Sequence, residues 1–497
     1  MVPNTLEEWL LVGSLVVLAG VIAVRLATRT GLPSMLLFLG IGLLLGESGL
    51  GHITFEDYDL TRDLGLAALA VILAEGGITT RWATMRPVVG FSAVLATLGV
   101  FISVAIVSLA GYYLLDLDAR TAVLAGAVVA STDAAAVFSV LRRLPLRPRL
   151  AATLEAESGL NDAPSVIIVA VVASSAWVEQ EWAQAVLEIG VELVIGPVAG
   201  VGFAWAGVQL LNRAALPNAG LYPLATLAIA FATFATTNLL HGSGFLAVYL
   251  ATVVLGNSTL PHRGATVAFV EGSALLAQIG LFILLGLLAS PNQLDAVIVQ
   301  ALVIGAVLTF VARPLSVIVC ALPFRRPPRE IAFLSWAGLR GAVPIVLATI
   351  PVSQGIVGST EVFNIVFVLV IIFTLIQAPT LPWLARRLDV TTGAPRQVEV
   401  ESAPLDELRA DLLQFTVPDG SKLHGVYVDE LLLPQGAQVS LVVRDGRSIV
   451  PRADHRLQRG DQILIVTTRK ARDRVADRLE AVSQSGRLAQ WRAETPE

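Results

Sequence analysis

From Val88 to Leu114 the chain runs without one charged side chain, and twelve further apolar runs fill most of the first 390 residues. No other feature constrains the fold so strongly. A run of about 17–25 apolar residues matches the hydrocarbon thickness of a bilayer, and inside lipid a helix satisfies all of its own backbone groups. The runs fall at about residues 7–29, 33–47, 63–79, 88–114, 120–142, 149–175, 184–211, 220–239, 243–256, 265–289, 294–321, 329–351 and 359–385, with the second and ninth short. Hydrophobic residues supply 55% of the 497 positions and charged residues 15%, which excludes an ordinary soluble protein. The expected fold is an all-α polytopic membrane protein of about 13 transmembrane helices.

The charges between the runs give the orientation. Arginines follow the odd-numbered runs: Arg25 and Arg29, Arg81 and Arg86, Arg142, Arg143, Arg147 and Arg149, Arg213, Arg263, Arg325, Arg326 and Arg329, then Arg386 and Arg387. The alternate loops are acidic or neutral, as in "FEDYDLTRD", "LDLDAR" and "WVEQEW". Positive loops stay inside, so the N-terminus is expected outside and the C-terminus in the cytoplasm. The acidic start "MVPNTLEEW" reads as the lead into a retained span rather than a cleaved signal. No lysine precedes Lys422 and the net charge is -5, so no basic surface for nucleic acid is visible. The single cysteine, Cys320, excludes an intramolecular disulfide and a cysteine-built zinc site.

A weak repeat runs through the apolar part. "LLLGESGL" (43–50) aligns with "VVLGNSTL" (253–260) at an offset of 210 residues, and the same offset carries "TDAAAVF" (132–138) onto "AVPIVLA" (342–348). Units seven spans apart face opposite ways across the membrane. Inverted repeats with interrupted helices point to a transporter with a site near the midplane. From about residue 402 the texture changes. "LLQFTV", "AQVSLVV", "RSIVP" and "DQILIVT" read as strands, the "DG" at 445–446 as a hairpin turn, and "RKARDRVADRLEAV" as an amphipathic helix. The domain plan is a membrane domain (1–390), a linker (391–401), a small cytoplasmic α/β domain (402–485) and a tail (486–497).

Charged residues within spans usually face a bundle interior or a water-filled cavity. They are Glu75, Asp133, Glu155, Glu157, Asp162, Glu271, Arg313 and Arg340. Glu155 reads as an interface charge, and Glu75, Glu271 and Arg313 fit that reading or a structural ion pair. The remainder group together. In the sixth span Glu157 and Asn161 are four apart, as are Ser158 and Asp162, which suggests one polar helix face rich in oxygen. Such oxygens suit a hard monovalent cation, and divalent ions use them too. In the fifth span "STDAAAVF" sets Asp133 beside Ser131 and Thr132, where a break in the helix would free carbonyls to line a cavity. Two carboxylates at one site repel when both are ionised, so one can hold a proton that a cation displaces. In the twelfth span "WAGLRGAVPIVLA" places Arg340 among small residues, with Pro344 expected to interrupt the helix. Its permanent charge calls for a carboxylate, and Glu157 is the natural partner, tying spans six and twelve together.

"STDAAAVF", "LEAESGLND" and "WAGLRGAVPIVLA", in this order, resemble the monovalent cation/proton antiporter superfamily, and most closely its NhaP-type bacterial sodium (potassium)/proton exchangers. The resemblance covers roughly residues 7–390. The segment "LHGVYVDELLLPQGAQVSLVVRDGRSIVPRADHRLQRGDQILIV" is similar to the TrkA-C domain, the C-terminal lobe of potassium-conductance (RCK) regulators. The resemblance implies a homodimer in the bacterial inner membrane with interrupted crossing helices and an elevator-like motion. It implies that Asp162 is the exchanging carboxylate, with Asp133, Ser158 and Thr132 around K+ or Na+, Asn161 beside it, and Glu157 bridged to Arg340. Exchange would be electroneutral and serve pH homeostasis. Many relatives have proline directly after each site aspartate, whereas here Ala134 and Ala163 follow and a proline comes one later, at Pro164.

Two other classes fit parts of the chain. A ligand-gated cation channel would share the tail, but no "TVGYG"-like filter is present. A non-transporting membrane sensor would leave the polar face without work. No enzyme, catalytic residue or resident cofactor is expected. The tail reads either as a sensor for a small cytosolic ligand such as a nucleotide, or as a ligand-free dimerisation module.

Overall fold

In a computed structural model the described residues are 5–486, apart from 31, 48, 134–135, 138–139, 141–145, 175–176, 178, 180–181, 393–400, 406–409, 419, 445 and 469–470. Two compact units emerge: 1–260 with 266–391, and 392–497 with 261–265.

Every apolar run of the membrane unit carries helix. The elements are α1 (Leu6–Thr30), α2 (Ser34–Leu45), α3 (Tyr58–Thr79), α4 (Val89–Leu114), α5 (Ala119–Ala130), α6 (Pro148–Ala173) and α7 (Trp182–Arg213). They continue with α8 (Leu221–Leu239), α9 (Gly244–Asn257), α10 (Arg263–Leu288), α11 (298–321), α12 (Pro328–Trp336), α13 (Ala342–Ser353) and α14 (Ser359–Arg387). Among the described residues, seven helices are each long and apolar enough to cross a membrane. The four shorter apolar helices are α2, α5, α9 and α13.

The helix boundaries reveal the repeat more clearly than the sequence does. At a displacement of about 210 residues α1 recurs as α8, α2 as α9, α3 as α10, α4 as α11, α5 with its continuation as α12 and α13, and α6 as α14. Among these helices only α7 has no counterpart. Contacts follow the same symmetry. Gly42 of α2 lies against Gly286 of α10, and Gly77 of α3 lies against Thr252 of α9. These backbones approach closely because glycine carries no Cβ, which is how helices associate in lipid without a hydrophobic driving force. A Cβ at Gly286 would come within 2.9 Å of the Gly42 Cα.

The second unit contains a five-stranded antiparallel sheet of order β1-β2-β5-β3-β4: β1 (Glu401–Leu405), β2 (Ala410–Thr416), β3 (Ala437–Arg444), β4 (Arg447–Ile449) and β5 (Gln462–Thr468). Helix α15 (Arg472–Ser485) comes next in the chain. Val475 and Leu479 of α15 share a core with Phe415, Ile463 and Ile465. Sequence patterning finds β2 to β5 and misses β1, whose "ESAPL" has no β-branched residue and contains a proline. The hairpin turn lies where expected: Arg444 pairs with Arg447 and Gly446 adopts φ 75°, although Asp445 is outside the described residues.

One buried acid organises this unit. Asp461 accepts from Arg444 Nε (2.7 Å) and Nη2 (2.8 Å) and from the Gln458 N–H (2.7 Å). Burial pushes its carboxyl up, but these hydrogen bonds and the charges of Arg444 and His455 outweigh burial and hold it below the usual carboxylate range.

Both units offer a test of stability. Gly286→Val should overpack the α2–α10 contact and cost about 1–3 kcal/mol, read as a lower thermal midpoint in detergent. Asp461 has a depressed folded value, so its contribution is present above the ordinary carboxylate range and is lost as pH falls through the lowered one. Hydrogen-exchange protection of β5 should therefore collapse on acidification in the unaltered chain. In Asp461→Asn it should be weaker at neutral pH and lack that acid step.

Candidate functional site

Helix α5 stops at Ala130, and Ser131 is extended (φ -68°, ψ 148°). Ala136 and Val137 are again helical. Opposite, α12 ends at Trp336 and α13 begins at Ala342, leaving 337–341 unwound. The two interruptions meet: the Asp133 N–H donates to Leu339 O at 2.8 Å. In a membrane interior such exposed peptide groups must find partners within the protein. Small residues make the meeting possible. A Cβ on Gly341 would occupy the place of the Asp133 carboxylate, and one on Gly338 would come within 3.0 Å of Arg313 Nε. Pro344 does not break this element as expected. It sits in the first turn of α13, where the missing N–H leaves no bond unmade.

Helix α6 passes beside the crossing and is bonded to it. The Ser158 hydroxyl donates to Thr132 O (3.0 Å), and Asn161 Nδ2 donates to Thr132 Oγ1 (2.7 Å). Asp133 Oδ1 accepts from the Ala136 N–H (3.2 Å), an N-cap for the resumed helix. Asp162 is 5% exposed, and its Oδ1 has no hydrogen-bond partner among the described residues. Asp133 and Asp162 lie within electrostatic reach of one another. Both line a cavity of about 470 Å³ together with Thr132, Ser158, Glu155 and Glu75. Pro164 does not stop α6, which runs through it; lacking an N–H, it leaves the Leu160 carbonyl without its usual helical donor. Ala134 lies outside the described residues.

Three expectations are corrected. The polar residues of α6 do not form one face. Ser158 and Asp162 turn to the cavity with Glu155 and Asn161 turns to Thr132 at its wall, whereas Glu157 turns away from it to Arg313. Positions 157 and 162 are five apart, roughly 140° around the helix, too wide for one face.

Second, Glu157 does not pair with Arg340. Its carboxylate, 1% exposed, takes a two-pronged bond from Arg313: Nη1 to Oε1, and Nη2 to Oε2 at 2.9 Å. A local change of helix phase puts Arg313 there. Pro314 has no N–H to give Phe310, and the preceding residues Leu308–Ala312 form a π turn that rotates the C-terminal part of α11. Arg340 is 4% exposed, and its Nε and Nη1 have no hydrogen-bond partner among the described residues. It sits in the combined field of Arg313 and Glu157.

Third, Glu155 is not an interface charge: it lines the cavity with Glu75, whereas Glu271 is exposed. A signal for Arg313 was available, since an arginine in the middle of the 294–321 run is too deep to reach water alone. The cavity also takes in Tyr249 and Gln278, which no motif or spacing in the chain singles out.

Two broken helices crossing beside buried aspartates set the comparisons with known proteins in context. Residues 14–387 match the family described as "Sodium/hydrogen exchanger, transmembrane", and residues 412–480 match the TrkA-C domain. The chain belongs to the sodium/hydrogen exchanger family. This exchanger is 33% identical over 475 residues to the K(+)/H(+) antiporter NhaP2 of Shewanella baltica, covering 94% of this chain and 82% of that relative. It is 34% identical over 465 residues to the K(+)/H(+) antiporter NhaP of Alkalimonas amylolytica, covering 92% and 80%. A more distant relative, the Na(+)/H(+) antiporter ApNhaP of Aphanothece halophytica, is 28% identical over 408 residues, covering 78% and 75%. The fold matches the sodium proton antiporter MjNhaP1 from Methanocaldococcus jannaschii with a TM-score of 0.67 at 23% identity, over 77% of this chain and 99% of that one. The exchanger is thus a multi-pass membrane protein with a TrkA-C module.

Removing one partner of a buried ion pair strands the other charge. Arg313→Ala should cost about 3–5 kcal/mol and lower the thermal midpoint in detergent, whereas Arg340→Met, which breaks no ion pair, should lower it little.

Proposed function

We propose that this chain exchanges a monovalent cation for a proton across the membrane, with Asp162 as the group both compete for. The observation that carries this reading is the Asp162 carboxylate: nearly fully buried, with Oδ1 unpartnered among the described residues, facing a cavity it shares with Asp133 at the helix crossing. A buried carboxylate without a donor is costly when charged, so it favours taking up either a proton or a desolvated cation. Thr132 and Ser158 supply further oxygens at the cavity wall, and Asn161 holds the Thr132 hydroxyl in place.

Charge counting supports one-for-one exchange. Glu157 and Arg313 cancel as a pair. Arg340 lies between Leu339 and Gly341, both of which touch Asp133. Its charge is set against those of Asp133 and Asp162, leaving one negative charge at the crossing, which one proton or one monovalent cation neutralises; the count takes Glu75 and Glu155 on the same cavity wall as protonated. The cation is K+ by analogy with the two K(+)/H(+) antiporters named above, with Na+ the alternative.

The cavity lies where α2 and α6 begin and α3 ends, the ends that carry the arginine-rich loops. By the positive-inside rule those ends face the cytoplasm, so this is an inward-open state with the N-terminus outside. The protein works as a homodimeric carrier in the bacterial plasma membrane, not as an enzyme, and contributes to pH homeostasis. The TrkA-C module regulates it by sensing a small cytosolic ligand.

In proteoliposomes loaded with a pH-sensitive dye, K+ should drive saturable proton efflux without a conductive current. Asp162→Asn should abolish it, at least a hundredfold below the unaltered chain, while the thermal midpoint holds. Undiminished exchange in that variant, or a cation current, overturns the reading. A panel of K+, Na+, Li+ and Rb+ at several pH values identifies the cation.

A further inference from the structure

Helix α14 ends in a Schellman motif. The Val390 N–H donates to Ala385 O (3.1 Å), and the Asp389 N–H donates to Arg386 O (3.1 Å). The left-handed position of that motif, φ 51°, is held by Asp389. Glycine fills such a position without steric cost, whereas a side chain there is strained. An aspartate at this position raises the question of what its carboxylate does.

It reaches two arginines, Arg147 Nη2 at 3.5 Å and Arg329 Nη1 at 3.6 Å. Arg147 is the N-cap residue of α6, the helix of Ser158, Asn161 and Asp162. Arg329 is the second residue of α12, which runs into the interruption that meets Asp133. One carboxylate thus touches the start of α12, which enters the helix crossing, and the start of α6, which passes beside it and is bonded to it. Backbone pairing reinforces the contact. The Arg147 N–H donates to Val390 O (3.0 Å), Leu146 and Thr391 form an antiparallel bridge, and Val390 is fully buried. A few residues later the chain passes into the segment that leads to β1 and the TrkA-C module. The last residues of the membrane unit are therefore bonded to the roots of the exchange site, at the point where any pull from the module arrives.

We propose that Asp389 is a positioning residue that couples the TrkA-C module to transport, by clipping the starts of α6 and α12 to the end of α14. The proposal rests on the regulatory reading of the module. The ion pairs are exposed and individually weak, which suits a contact made and broken in regulation rather than one that holds the fold.

The test uses full-length protein in proteoliposomes with K+ as the transported ion. Three variants are compared: Asp389→Gly, which suits the left-handed backbone and keeps the helix end; Asp389→Asn, which keeps the shape and removes the charge; and a Gly/Ser insertion within 393–400 that slackens the connection. Each should change the maximal exchange rate in the same direction, by about two- to fivefold for ion pairs of this exposure, with the KM for K+ unchanged. Combining Asp389→Gly with the insertion should add nothing further. If the insertion changes the rate while both Asp389 variants keep it, or if the effects add, the coupling role is overturned. If the insertion itself has no effect, the regulatory reading of the module fails, and the coupling role fails with it.

Discussion

Two stretches of unwound backbone in a membrane interior can exist only by satisfying one another. The bond from the Asp133 N–H to Leu339 O is where that happens, and most of the exchanger depends on it. The bond requires backbones close enough to touch, which is why the second stretch is "AGLRG", with glycines giving room to Arg313 and to the Asp133 carboxylate. It requires the freed groups of Thr132 to be taken up, which Ser158 and Asn161 do from α6. Asp162, one residue on, is then held against the same crossing with no donor to its Oδ1 among the described residues. A buried, unpaired carboxylate oxygen is thus a by-product of solving a backbone problem in lipid.

The ion pair of Arg313 and Glu157 belongs to the same solution. Desolvating two opposite charges gains little net stability, but it ties α11 to α6 beside the crossing, and losing either partner is expensive. That asymmetry makes such a pair a good fastener and a poor source of stability. Arg340 plays a different part. With no carboxylate within salt-bridge distance among the described residues, its charge is left to act on its surroundings.

Much of this was legible in the chain. Outside the interrupted fifth and twelfth spans, the helices coincide with the apolar runs within a few residues, because lipid leaves the backbone no alternative to a helix over such lengths. The residues Thr132, Asp133, Ser158, Asn161 and Asp162 do converge, since the two polar islands in apolar surroundings had nowhere else to go. What sequence could not supply was rotation. Whether Glu157 faces Arg340 or Arg313 depends on the phase of α6 against α11, and a π turn before Arg313 alters that phase. The same limit hid the split of the α6 polar residues between two faces and the turning of Glu155 into the cavity. Strand β1 escaped notice because its sequence carries no strand signature and gains its conformation by pairing with β2.

Helix α7, the one span without a counterpart in the repeat, carries a consequence of its own. Six crossings return a chain to the side on which it began, so two six-helix units joined directly would point the same way. A single added crossing reverses the second. Only then can α5 with its continuation and α12 with α13 approach the middle of the membrane from opposite sides and meet at their breaks. The parity of the helix count, set by a segment that lines no part of the described cavity, thus decides whether an exchange site can exist at all.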